Sequence, residues 1–187
     1  MPPTLPINAF NDQPVTAGAG PLAAMVVLVV VLTVAAYTEI KESRIPNWLT
    51  LSGMSLGLLI AYLQGKPEFG ASLGGLAIGF GFFFIFYVFG GVGGGDVKLM
   101  GAAGALMGLE ITKPALFYTV FIGAFISVMM FIWRRDFWLR IGLSLQKLAF
   151  WRKRDATALP PLPALKVPYG IAIAIGCLLA LFNAGNR

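Results

Sequence analysis

The chain has 187 residues, 58% of them hydrophobic and only 12% charged, with a mean hydropathy of +0.81; a soluble domain cannot hide that much apolar surface, so lipid is the expected solvent. With no histidine and a single cysteine, Cys177, the composition excludes a disulfide framework, a cysteine or imidazole metal site, and Ser-His or Cys-His nucleophiles. A net charge of +6 raises nucleic acid as a partner, but the basic residues border apolar runs and form no basic, aromatic-studded domain, so a topological role is expected for them.

Residues 1–20 are rich in Pro, Ala and Gly and lack Lys and Arg. A cleavable signal needs a positive leading region, so the first apolar run reads as a retained anchor behind an extracytoplasmic tail. A helix needs ~20 mostly apolar residues to cross the hydrocarbon core. The clear segments are Leu22 to Thr38, Leu49 to Leu63, Ser72 to Phe89, Pro114 to Trp133 and Val167 to Phe182, with a shorter one at Val97 to Leu109. This predicts an all-α, polytopic membrane protein of about six transmembrane helices, with residues 21–187 as one membrane-embedded domain. Lys41, Arg44 and Lys98, together with a dense basic run from Arg134 to Lys166, fall in one set of loops; Lys66, Lys113 and Arg187 fall in the other. The positive-inside rule then puts the amino terminus outside and residues 134–165 in a cytoplasmic loop. Within that loop, Phe137 to Trp151 reads equally well as an interfacial amphipathic helix or as a stretch that only supplies charge; a Pro-rich linker follows from Leu159 to Pro163. Small residues at Gly75/Gly79 and Gly104/Gly108 favour close helix packing.

Two places interrupt the apolar pattern with carboxylates. Glu39 follows the first span, in Tyr37-Thr38-Glu39-Ile40-Lys41-Glu42-Ser43-Arg44-Ile45-Pro46-Asn47; Asp96 ends the glycine run from Gly90 to Gly95. Ionisable groups at the rim of a span are costly unless they face a cavity or a partner. Glycine tolerates positive φ and leaves room for close backbone approach, and Asp96 then opens a helix whose free N–H groups suit a carboxylate. A phosphate cradle is the weaker reading, because Asp96 would repel the anion and no GK[ST] follows. Two carboxyls sharing one water can hydrolyse a peptide bond without metal or covalent intermediate, one as acid and one as base. The ordinary alternatives are an ion pair of Glu39 with Arg44 or Lys41, and a helix-capping role for Asp96.

Gly93-Gly94-Gly95-Asp96 matches the GxGD motif of the type IV prepilin peptidases, and Val97-Lys98-Leu99-Met100 resembles its usual continuation. Glu39 followed six residues later by Ile45-Pro46-Asn47 resembles the first aspartate motif of that family, and Val167-Pro168-Tyr169-Gly170 is similar to its closing signature. The resemblance implies an aspartic endopeptidase with Asp96 and Glu39 as the catalytic pair. Gly93, Gly95, Lys98, Pro46 and Asn47 would shape the loops or bind substrate, and no metal or cofactor is implied. Its substrates would be prepilins, cut behind a basic leader ending in glycine at the cytoplasmic face of a bacterial inner membrane, with lipids rather than nucleic acid as further partners. Two departures stand out. Glu39 is one methylene longer than the family's aspartate, which opens the alternative of a pseudoenzyme that binds prepilins or pilus assembly components without cutting them. Nothing corresponds to the cysteine-rich insertion of the longer members, so the chain is similar to the peptidase-only branch of tight-adherence (Flp-type) pili and proteolysis without methylation is expected.

Overall fold

The computed structural model describes residues 19–133 and 168–186. The expected tail, the basic loop with its Phe137–Trp151 segment, and the Pro-rich linker therefore lie outside the described residues. The described residues form five helices in chain order: α1 (Ala19–Glu42), α2 (Asn47–Gln64), α3 (Lys66–Val88), α4 (Gly94–Trp133) and α5 (Tyr169–Gly185). Among the described residues there is no strand.

Helix limits follow local chemistry more closely than hydropathy. α1 runs past Thr38 to Glu42, so Glu39 sits inside its last turn instead of beyond it. The helix stops at Ser43, which takes a left-handed φ of 52°. α3 starts at Lys66, well before the expected Ser72, because Gly65 precedes it, Pro67 occupies its first turn and Glu68 faces the positive end of its dipole. Its other end closes through a Schellman arrangement: Gly90, at φ 74°, donates its N–H to the Tyr87 carbonyl, and Gly91 donates to that of Phe86.

The two segments expected at Val97–Leu109 and Pro114–Trp133 form two arms of α4, joined through a break at Gly108 (φ 73°, ψ 172°). Thr112 Oγ1 donates to the Gly108 carbonyl at 2.6 Å, and Pro114 falls early in the second arm, close to the break, where a missing N–H costs least. The arms run in opposite senses. Along the first arm Gly104 lies against Gly75 and Met100 against Gly79; along the second, Tyr118 accepts from Asn183 while Gly123 and Ser127 meet Tyr169.

α4 packs against every other described helix and carries the middle of the core, with Leu99, Met100, Ala102 and Ala103 fully buried. Close approach depends on small side chains. A Cβ on Gly75 would run into the Gly104 carbonyl, one on Gly104 into that of Gly75, and one on Gly57 would press on Ala105. The outer surface is the reverse of a soluble protein's, with Leu22, Val26, Ile85, Phe121 and Phe125 exposed, as lipid solvation requires. Among the described residues three helices are long and apolar enough to cross a membrane, Leu22–Glu42, Lys66–Val88 and Gly94–Met130, and α5 is a shorter apolar helix. Length and composition alone do not establish the six spans expected: α4 counts once although its two arms run in opposite senses, α2 falls short in hydropathy and α5 in length.

Candidate active site

Three chain segments far apart in sequence meet at one end of the bundle. The end of α1, the loop from Gly90 to the start of α4, and the start of α5 enclose a cleft of about 420 Å³. Its lining includes Glu39, Ser43, Arg44 and Ile45 from the first segment, Gly93, Gly95 and Asp96 from the second, and Pro168 and Tyr169 from the third.

Asp96 is placed by its own helix. It is the third residue of α4, and its Oδ2 accepts the N–H of Gly93 at 3.1 Å, the reach-back half of a capping box. Gly93 must be small for this contact, since a Cβ there would stand 3.0 Å from that oxygen. Gly95 serves a different neighbour, as its Cβ would come within 3.1 Å of Ile45. The glycines of this loop therefore divide their roles: Gly90 supplies the left-handed turn, and Gly93 and Gly95 supply proximity. Asp96 remains 6% exposed while lining the cleft, so capping and facing the cavity coexist.

Glu39 is placed by a helix other than its own. Pro168, at the head of α5, has no side chain that can cap, and Glu39 Oε2 accepts the Ile171 N–H at 3.2 Å, a bond across the bundle to an orphan donor of the first turn. The amide of Gly170 also faces this carboxylate. Gly170 is needed at that point, because a Cβ would sit 2.6 Å from Glu39 Oε2 and 3.3 Å from Ile45 Cδ1. Ile45 thus lies between Gly95 and Gly170 and joins all three segments beneath the carboxylates. The two carboxyls are near enough for their charges to act on one another.

The remaining sequence-derived positions lie beside the cleft. Pro46 precedes α2 in extended conformation, and Asn47 Oδ1 accepts from Lys98 Nζ at 2.9 Å on the exposed side of the junction between α2 and α4. Neither these residues nor Glu42 line the cavity. Among the described residues the one ion pair is Lys113–Glu110, so Glu39 is not paired with Arg44 or Lys41. No group of three or more carboxylate or thiol ligands that could hold a metal occurs among the described residues. Sequence reasoning left out Gly170 and Ile171, which hold Glu39, and Ser43, Arg44 and Tyr169, which line the cleft; the Pro168-Tyr169-Gly170 run was the signal that pointed there.

Comparison with known proteins points to one family. A family model described as the type IV leader peptidase family matches residues 26–128, a stretch containing both carboxylates. The "Prepilin leader peptidase/N-methyltransferase" of Bacillus subtilis (strain 168) is 33% identical over 101 residues, which is 53% of this chain and 41% of that protein. The match thus spans about two-fifths of that relative's length. No solved structure matches the chain significantly.

Proposed function

The chain belongs to the type IV leader peptidase family, and on that premise we propose that it is an aspartic endopeptidase of the bacterial cytoplasmic membrane that removes the leader of type IV prepilins, those of Flp-type pili in particular. The observation that carries this reading is that Glu39 and Asp96, from different helices, line the same cleft. Hydrolysis then needs one carboxylate to take a proton from a water while the other carboxyl gives its proton to the scissile carbonyl. The tetrahedral intermediate collapses with the C–N bond breaking and a proton passing to the departing amine. Each carboxyl is already oriented by a backbone N–H, Gly93 for Asp96 and Ile171 for Glu39, which fixes one oxygen of each and leaves the other for water or substrate.

A cytoplasmic cleft is supported by the basic residues Lys41, Arg44 and Lys98 at the cleft end of the described helices, the side the positive-inside rule favours for the cytoplasm. A prepilin would present its leader junction there and leave its apolar helix in the bilayer, with membrane lipid around both.

The second reading is a pseudoenzyme that binds prepilins or assembly components without cutting them. The extra methylene of Glu39, where the family it resembles has an aspartate, favours it, since a reacting group displaced by about 1 Å loses much of its effect. Co-expression with a type IV prepilin separates the two. A leader-sized mobility shift that disappears in Asp96→Asn and Glu39→Gln supports the peptidase. Stable binding with no shift, converted to cleavage by Glu39→Asp, supports the pseudoenzyme. The absence of both cleavage and binding would refute both.

A further inference from the structure

The start of α5 is itself held by a contact that no other part of the site uses. Tyr169, the first residue of α5, lies across the second arm of α4, with its ring over Gly123 and its hydroxyl 3.1 Å from Ser127 Oγ. The available protons determine the direction of that bond. Ser127 Oγ donates its only hydrogen to the Gly123 carbonyl at 2.6 Å, so the Tyr169 hydroxyl must be the donor and Ser127 the acceptor. Gly123 cannot be larger, because a Cβ there would stand 2.8 Å from Cε1 and 3.1 Å from Cδ1 of the Tyr169 ring. The ring is therefore fixed at two points, its face by a glycine and its tip by a serine.

Two residues further on, the Ile171 N–H holds Glu39 Oε2. The pitch of a helix links these facts: rotating or lifting the first turn of α5 moves the residue 171 amide together with the residue 169 side chain. No side chain caps α5 from within, so the clamp from α4 is what sets this turn at the depth and rotation where its amides meet Glu39.

We infer that Tyr169, seated on Gly123 and bonded to Ser127, is a positioning residue that fixes the Glu39 carboxyl relative to Asp96 by way of the first-turn amides of α5. The inference rests on the peptidase reading for its kinetic test but not for its spectroscopic one. Ser127 and Gly123 lie outside the cleft lining and touch no proposed reacting group, so they act only through Tyr169.

The test uses the full-length chain in detergent or liposomes, with Ser127→Ala, Tyr169→Phe, the double variant, and Ser127→Thr as the hydroxyl-retaining rescue. On a purified prepilin, each single change is expected to lower kcat about 5- to 10-fold with KM changed less than about 2-fold, because a misplaced reacting group affects the transition state more than binding. The double variant is expected to be no slower than the slower single, since both delete one bond, and Ser127→Thr is expected to recover most of the loss. In the same samples the 13C resonance of the Glu39 carboxyl, assigned by its disappearance in Glu39→Gln, should move in both single variants and return in Ser127→Thr. Unchanged kcat with an unchanged Glu39 resonance, or losses that multiply in the double variant, would overturn the inference. If the wild-type chain cleaves nothing, the peptidase reading fails and the resonance alone decides the positioning role. Should Ser127→Ala not fold, Tyr169→Phe and Gly123→Ala, which pushes on the ring from its other side, decide the question by the same two readouts.

Discussion

Adding a single methyl group at Gly170 should disable the cleft while sparing the fold. A Cβ built on the Gly170 backbone stands 2.6 Å from Glu39 Oε2 and 3.2 Å from its Cδ, where ordinary contact begins at 3.4 Å. Gly170 is part of a helix packed on α1 and α4 and cannot retreat, whereas the Glu39 side chain can. The carboxyl therefore has to withdraw by about 0.8 Å, the difference between ordinary contact and the clash, in an interior that is close-packed around it. The Ile171 bond, 3.2 Å long, is then stretched to about 4 Å and lost. A displacement of that order in a reacting group costs about 100-fold in rate, or about 2.7 kcal/mol of transition-state stabilisation. The assay is cleavage of a prepilin by the detergent-solubilised chain, with thermal unfolding followed in parallel. Gly170→Ala is expected to keep its cooperative unfolding and to lose cleavage by about two orders of magnitude. A folded Gly170→Ala protein that cuts within about 3-fold of wild type would refute the claim that the position of the Glu39 carboxyl matters.

Asp96→Asn keeps an acceptor for the Gly93 N–H and should leave stability within about 1 kcal/mol of wild type while abolishing cleavage, as read by the same assays. Gly90→Ala meets no atom within 4 Å but must adopt φ 74°, so it should lower unfolding stability by about 1–2 kcal/mol through backbone strain alone. Gly104→Val drives a side chain into the Gly75 carbonyl and should prevent the protein from accumulating in membranes, whereas Gly81→Val, which has open space around it, should accumulate normally on immunoblots of membrane fractions. Lys98→Ala removes an exposed hydrogen bond to Asn47 and should cost no more than about 1 kcal/mol, with the cleavage rate little changed.

The helical, membrane-embedded character was readable from composition, because nothing but lipid accommodates so many apolar side chains. The extents of the helices were less readable from apolar runs. Gly65, Pro67 and Glu68 start α3 by capping chemistry that a hydropathy count ignores, and Gly108 breaks α4 by a backbone angle that looks, in the sequence, like one more small residue in a packing motif. The two carboxylates and the glycine loop stood out because they interrupt an apolar pattern. What holds Glu39 did not, since a backbone amide of Ile171 leaves no mark on its side chain and pairs with Glu39 from 132 residues away. Gly123 and Ser127 were equally silent: both are ordinary residues for a membrane helix until Tyr169 is laid across them.

The dependence of Glu39 on α5 has a bearing on biosynthesis. A polypeptide leaves the ribosome from its amino terminus, so the first carboxylate is made long before the amides that orient it, and Asp96 is complete in the interval. A nascent chain that has not yet inserted α5 carries both acids, yet one wall of its cleft, Pro168 and Tyr169, is missing and the bond from Ile171 to Glu39 is unmade. Under the peptidase reading, a chain whose α5 is not yet in place would hold both acids without the geometry to use them, and cleavage would begin only after that helix docks.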